Sequence, residues 1–461
     1  MVVRARPFAD VRQIGLLLRD CDWASPGLVT RFEAAFAEFI GTPYAAATHQ
    51  GRSALLLALK ALNVGSQDEV IVQSLICRVV IDAILETGAM PVLVDNSLDD
   101  YQILPAQIRE KITPRTKVII VAHLYGIPCQ IEEICEIARE NTCYLIEDCA
   151  HSLGVKYNRE NTGTYGDMAF FSFNFDKPIS VGNGGMLVVN SPELISRISG
   201  ALENYERMPL QTEREIVYGF ILQHLLTQKD IYHQCLPTTF GEVLIRGNPS
   251  ISHFIKELLE EDHSGAKAAE RISGYLEDND LLHKKALRSV SKKLLGKMRS
   301  LLKRLAPDQA KTKRIDQKHL LMNSLRAMVG LEQLKHLDSV IDARNRNAKY
   351  LAMNLDEEKY ISPKVDPKSA PIFFRYPVLA RTGLSVSEVA EVARRNGFEI
   401  GNYNWPKPIH LTHPYRRILS YDAECLVNSR YIAEQLLNIP NHFYITEDNL
   451  EAIAVMLNNF N

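Results

Sequence analysis

From residue 26 to about residue 200, short apolar runs alternate with helical stretches, and this rhythm limits the fold more than any other feature of the chain. EVIVQS, MPVLVD, KVIIVAHL and CYLIEDCA are apolar runs of strand length. VVIDAILETG, LPAQIREKI and IEEICEIAREN lie between them with helical patterning, and SPGLVTRFEAAFAEFIG and RSALLLALKAL precede them. A strand buried on both faces reads as an unbroken apolar run, and strands alternating with helices build a mainly parallel sheet covered on both sides. The expected class is therefore α/β, with any ligand lying beyond the carboxyl ends of the strands.

The rhythm marks out three parts: a large domain over 1–204, a mostly helical insertion over 205–319, and a long helix with a small α/β domain over 320–461. Within the insertion, Lys284 to Lys318 carries 13 Lys and Arg against two Asp. Its apolar positions Leu287, Val290, Leu294, Met298, Leu301 and Leu305 step by three or four, as on an amphipathic helix. Two readings stay open: a helix packed on the body with a solvated basic face, or weak contact with an anionic surface such as a membrane leaflet. In the last part, SLRAMVGLEQLKHLDSVIDARNRNAKYLAMNL reads as one long helix and FFRYPVLA as a strand. SVSEVAEVARRNG reads as a further helix, and Thr446 with Asn449 forms a capping-box-like start to the last one.

A hydrophobic share of 46% with 23% charged residues excludes a disordered chain or a rod. No apolar run reaches the roughly 18 residues of a membrane span, and MVVRARPFADVRQIG lacks the apolar core of a secretory signal. The eight cysteines are scattered and form no CxxC pair, so reduced thiols in a cytoplasm are expected. Neither a metal nor a nucleic-acid partner is expected.

Three features carry chemistry, in chain order. HQGRSALLLALKAL places Gly51 and Ser53 at a helix start, where backbone N–H groups and the helix dipole favour a phosphate. LIEDCAH puts Asp148 at the carboxyl end of an apolar strand, a costly place for a carboxylate without a partner; a helix cap is its bland reading. GDMAFFSFNFDKPISVGNGGMLVVN sets Lys177 between an apolar strand and a glycine-rich turn. Together they suit pyridoxal 5′-phosphate: a lysine amine for the Schiff base, an acid for the pyridine nitrogen, and a helix start for the phosphate. GNGG follows the lysine and opens no helix, so a dinucleotide fingerprint lacks its context.

FEAAFAEFIG, GRSALLLALKAL, AHLYG, IEDCAHSLG, GDMAFFSFNFDKPIS, GNGGML, AMVGLEQL and LLNIPNHFYITEDNLEAI resemble the DegT/DnrJ/EryC1/StrS family of pyridoxal-phosphate-dependent aminotransferases. The resemblance implies a fold-type-I homodimer, its two active sites at the subunit interface, and an amino group moved from Glu or Gln to a keto-sugar. It implies Lys177 as the Schiff-base lysine, Asp148 as partner of the ring nitrogen and His151 near the phenolic oxygen. Gly51, Arg52, Ser53 and Ser172 are implied at the phosphate, and His410, in PKPIH, near the substrate. Four departures stand out, one being an excursion between Lys177 and the helix of AMVGLEQL roughly 100 residues longer than the family's usual loop. Arg52 replaces a usual Thr, Cys77 fills a place that often stacks an aromatic ring on the cofactor, and no Asn stands in HLLMNSLR where a partner subunit often supplies one. Dehydration or elimination on a related substrate, and a non-catalytic scaffold, are the rival readings; retained Lys177 argues against the first, because the family's dehydratases carry His there.

Overall fold

Each of the four apolar runs becomes a strand of one sheet in the computed structural model. The structure describes residues 27–210 and 319–460, except 403, 404, 423 and 424, with positions 2, 6, 8, 14, 212, 213, 216, 217, 220 and 224 besides. The Lys284–Lys318 segment and its amphipathic pattern therefore lie outside the described residues.

The strands are β1 (Tyr44–Thr48), β2 (Glu69–Gln73), β3 (Met90–Val94), β4 (Thr116–Ala122), β5 (Tyr144–Asp148), β6 (Lys156–Tyr157), β7 (Glu160–Asn161), β8 (Met168–Ser172), β9 (Gly185–Val189), β10 (Glu206–Arg207) and β11 (Leu320–Leu321). Nine of them form a sheet in the order β10-β11-β1-β9-β8-β5-β4-β2-β3, while β6 and β7 stand aside as a hairpin. From β3 to β8 the pairing is parallel, and β9 runs antiparallel to both β8 and β1. Side chains alternate between faces as the pleat requires. Val70, Val72, Val118 and Ile120 enter one apolar layer, while Ile71, Val94, Ile119 and Val121 enter the other.

Helix α1 (Gly27–Ile40) buries Val29, Phe32, Phe36 and Ile40, an i, i+3, i+4 stripe. Helices α2 (Gly51–Ala61), α3 (Arg78–Glu86), α4 (Pro105–Lys111), α5 (Ile131–Glu140) and α6 (Pro192–Leu202) connect or cover the strands. The expected long helix is two, α7 (Ser324–Leu334) and α8 (Leu337–Asn354), because His336 leaves helical geometry at φ −104°, ψ 1°. The break serves two cores: Gly330 on α7 lies against the Phe32 ring, whereas Ala348 and Leu351 on α8 join the small domain. That domain pairs β12 (Tyr360–Ile361), β14 (Tyr376–Ala380) and β15 (Leu436–Ile439) into an antiparallel sheet, and β13 (Ser369–Ala370) pairs with β6. Helices α9 (Val386–Arg395), α10 (Tyr415–Leu419), α11 (Val427–Gln435) and α12 (Glu447–Asn458) complete it, with the Thr446–Asn449 capping box opening α12.

Strands β10 and β11, far apart in the sequence, lie side by side, and Val217 and Phe220 beyond β10 join the core beneath α1. Arg207 Nη1 donates to Met322 O at 2.9 Å across this point. A fully buried ion pair between Arg326 and Glu213 fastens the same place, Nε to Oε1 at 2.7 Å and Nη2 to Oε1 at 2.6 Å.

Candidate active site

The parallel strands end at a common edge, and the functional side chains gather there. Asp148 is the last residue of β5 and is 7% exposed; its Oδ1 accepts from Ala150 N at 3.0 Å. Desolvation pushes its pKa up to about 6, although Lys177 and His123 pull it down. The neighbouring Glu147 fixes the strand end, accepting from the backbone N–H groups of Gly163, Tyr165 and Gly166 at 2.8–2.9 Å and lying 3.0 Å from His123 Nε2. His123, Glu147 and Cys149 come within metal-ligand spacing. Yet His123 Nδ1 accepts from Cys129 N at 3.2 Å, so Nε2 carries the proton that it gives to Glu147. The group holds itself together as a buried hydrogen-bonded strut.

Lys177 lies five residues beyond the end of β8 and is 9% exposed. Its Nζ is 3.6 Å from Asp176 Oδ1 and 4.6 Å from the centroid of the Phe374 ring. His151 stacks on the same ring, its centroid 4.2 Å from that of Phe374 and its plane 15° from parallel. Desolvation, then the Lys177, Arg375 and Arg344 cations, hold the His151 pKa well below its usual value, so it is a neutral imidazole. Cys77 is exposed at the start of α3, within electrostatic reach of Asp148, Lys177 and Asp176.

The phosphate-type turn is built by close backbone approach. A Cβ on Gly185 would stand 2.4 Å from Gln50 C and 2.5 Å from Gly51 N, and one on Gly51 would stand 3.2 Å from Ser172 Cβ. Only hydrogen fits at Gly185, which seats the start of α2 against the end of β8. No side chain caps α2, whose first turn holds Gly51, half-buried Arg52 and buried Ser53. Gly51, Ser53 and Ser172 thus share one cradle that suits a phosphate, at the same sheet edge as Asp148 and Lys177.

His410 stands apart from this group. It is fully buried in a short turn over Ile409–Leu411, with Nδ1 2.9 Å from Ser74 Oγ, while Ile409 N donates to Ser74 O at 3.1 Å. It joins the C-terminal part to the segment that leads to Cys77.

Sequence reasoning missed Phe374, Arg375, Arg344, Tyr125 and Trp405. Phe374 N donates to Tyr125 O at 2.6 Å, and Arg344 Nη1 donates to Phe374 O at 2.7 Å. Arg375 Nη2 lies 3.3 Å from Asp176 Oδ2, and Trp405 sits 5.6 Å from His151 and 5.4 Å from Tyr125. FFRYPVLA was expected to be strand throughout, but β14 begins only at Tyr376 because Phe373 adopts φ +44° and turns the chain toward the site. A charged Arg within an otherwise apolar run was the available signal.

The model of the DegT/DnrJ/EryC1/StrS aminotransferase family matches residues 12–215 and 292–458. GDP-perosamine synthase of Escherichia coli O157:H7 is 42% identical over 180 residues, covering 39% of this chain and 50% of that protein. The dTDP-3-amino-3,6-dideoxy-alpha-D-galactopyranose transaminase of Aneurinibacillus thermoaerophilus is 40% identical over 212 residues, 43% of this chain and 58% of that one. The chain thus spans about half the length of the curated relatives it matches. The aminotransferase TlmJ from Streptoalloteichus hindustanus superposes with a TM-score of 0.69 at 19% identity, covering 99% and 98% of the two chains, which shows the shared fold.

Proposed function

The chain belongs to the DegT/DnrJ/EryC1/StrS aminotransferase family, and we propose that it is a pyridoxal-phosphate-dependent enzyme that aminates a keto-sugar, nucleotide-linked, with Glu or Gln as donor. The observation that carries this reading is the burial of Lys177 and Asp148 at one sheet edge beside the Gly51–Gly185 cradle. Sugar aminotransferases among the relatives support the acceptor class.

The cofactor, when bound, supplies an electrophilic carbon and a ring that accepts electrons. Asp148 would hold the protonated ring nitrogen; its raised pKa is the signature of a buried carboxylate that a cation would stabilise. The first turn of α2 with Ser53 and Ser172 would hold the phosphate, and Arg52 would add a charge. His151, neutral and stacked on Phe374, would flank the ring's oxygen side. Cys77 would lie on the ring face, and His410 would act on the substrate pocket by seating residue 74. Lys177 Nζ, once free, would take the proton from the donor's α-carbon, and the buried site keeps water from competing for it.

The test is optical and chemical. Protein given the cofactor should gain a visible band that borohydride removes, and Glu or Gln should bleach it. Labelled donor nitrogen should then appear in an amino-sugar when keto-sugar nucleotides are added. A Lys177→Ala variant with undiminished turnover would sink the proposal.

The same reading includes a homodimer with paired sites and a cytoplasmic location. No helix among the described residues is long and apolar enough to cross a membrane. The basic segment 284–318 would give weak, reversible contact with anionic membranes.

A further inference from the structure

Lys177 rides on a loop, not on a strand or a helix. The loop joins the antiparallel neighbours β8 and β9. Its base is closed by Phe173 N donating to Gly184 O at 2.9 Å and Val181 N donating to Phe173 O at 3.1 Å. Within it, Lys177 N donates to Asn174 O at 3.0 Å. The loop runs out through glycines at 182, 184 and 185, and Gly182 sits at φ +85°. Glycine leaves a chain many conformations, so the local sequence does not by itself hold the lysine where its amine must work. A reacting group misplaced by about 1 Å can cost about 100-fold in rate. The loop therefore needs support from outside.

Helix α7 supplies it. The Gln333 amide, 3% exposed, grips both backbone groups of Ser180: Ser180 N donates to Gln333 Oε1 at 2.9 Å, and Gln333 Nε2 donates to Ser180 O. A backbone N–H only donates and a carbonyl only accepts, so the two bonds fix which way the amide faces. Together they copy the two-bond exchange of a paired strand. The serine hydroxyl takes no part and has no hydrogen-bond partner. A second grip lies two turns back on the same face of the helix. There Arg326 Nη1 donates to Asn183 O at 2.6 Å and to His49 O at 3.1 Å. One helix thus holds the lysine loop at residues 180 and 183, and with it the residue that leads into the Gly51 turn.

We propose that Gln333 is a positioning residue for Lys177: its two bonds to the Ser180 backbone set the lysine loop against α7, and so set Nζ relative to the phosphate cradle. The lysine's task rests on the aminotransferase reading above, whereas the grip belongs to the folded chain itself. The bland alternative is that Gln333 only satisfies two buried backbone groups, which a buried loop requires in any case. The two differ in what a lost bond does. A filler affects stability alone, and a positioning group also affects how fast Nζ meets an aldehyde. Gln333→Glu separates them. A protonated carboxylic acid accepts with one oxygen and donates with the other, as the amide does, whereas a carboxylate only accepts. Burial against the Ser180 carbonyl raises the pKa of that acid. The grip in this variant is therefore complete at low pH and lost as pH rises.

The experiment times the capture of pyridoxal phosphate by the full-length protein, stopped with borohydride and counted at Lys177 by mass spectrometry. It is run well below the melting temperature of every variant. The capture rate of Gln333→Glu relative to wild type should be near one at about pH 5.5 and fall about 10-fold by about pH 8.5. Ser180→Ala keeps both backbone groups and should capture as fast as wild type throughout. Gln333→Met fills similar space without hydrogen bonds. It should capture slowly at every pH, and its Ser180 amide hydrogen should exchange about 10-fold faster than in wild type. A Gln333→Glu ratio that stays flat with pH would overturn the positioning role, whether or not the melting temperature moves. Slow capture in Ser180→Ala would overturn it too, by placing the effect in the serine side chain. Wild-type protein that fixes no cofactor at Lys177 would sink the aminotransferase reading instead. The Ser180 exchange in Gln333→Met then decides the grip: faster exchange upholds it, and unchanged exchange removes it.

Discussion

Two buried charge clusters in this protein have opposite characters. Around Arg326, Nε bonds to Glu213 at 2.7 Å and Nη1 to the carbonyls of Asn183 and His49, while Nη2 lies 2.6 Å from Glu213 Oε1 as an ion pair without a hydrogen bond of its own. Glu213 also accepts from the N–H groups of Asn323 and Arg326. Around Lys177, burial holds Asp148 partly against ionisation, and the Tyr125 hydroxyl has no hydrogen-bond partner. Both clusters are buried and both join distant parts of the chain. The Arg326 cluster pairs its charge with Glu213 within the chain and ties the glycine-rich turn, through Asn183 O, to α7.

That contrast predicts opposite responses to mutation. The largest effect falls on chemistry. Lys177→Ala should lower turnover by about 10⁴-fold or more, with a melting temperature close to wild type, measured by coupled amination assays and thermal scans. Equal loss of stability would erase the distinction between the clusters. Next comes the Arg326 cluster. Arg326→Ala strands the Glu213 carboxylate where neither side chain has exposed surface, and should cost about 3–5 kcal/mol in urea unfolding. A cost under about 1 kcal/mol would show that the pair is dispensable.

Asp148→Asn should act in the other direction. The folded pKa of about 6 lies above the ordinary 3.8, so burial penalises the ionised form. The penalty is complete above pH 6 and disappears as pH falls toward 4. In the cofactor-free protein at pH 7 the substitution should therefore stabilise by about 3 kcal/mol, with wild type and variant converging near pH 4. Pyridoxal phosphate binding should weaken at the same time. Urea melts across pH test the first point and absorbance titration the second; destabilisation at pH 7 would contradict the penalty that burial places on Asp148. The smallest effect concerns the basic segment. Vesicles rich in anionic lipid should retain a fraction of the protein at low salt and release it as salt rises, each basic residue contributing about 1 kcal/mol at most near the surface. Co-sedimentation at two salt concentrations decides between membrane contact and a solvated face.

The residues of the proposed site could be named from the sequence because their signals are local. A Gly–x–Ser start, an acid at a strand end and a lysine after an apolar strand are each read within a few residues. Their chain order suggested one cofactor before any contact was known. Phe374, Arg375 and Arg344 offered little comparable signal. An Arg within FFRYPVLA looks like one residue of a strand, and its position depends on Phe373 taking a positive φ and Phe374 bonding to Tyr125. The expected single helix over 324–354 divides for a similar reason, since its two halves bury against different cores.

Hydrophobic period, strand and helix type, and the residues suited to a pyridoxal phosphate site followed from the sequence alone, because burial pattern and local backbone chemistry act over short spans of chain. Tertiary structure decided the strand order, with β9 entering antiparallel between β1 and β8, and the meeting of residues 125, 151, 177, 344 and 375 around one phenyl ring. Those contacts depend on which surfaces pack, and packing joins positions far apart in the chain whose own neighbours carry no trace of the partner. The unpartnered Tyr125 hydroxyl exists only once that packing is made.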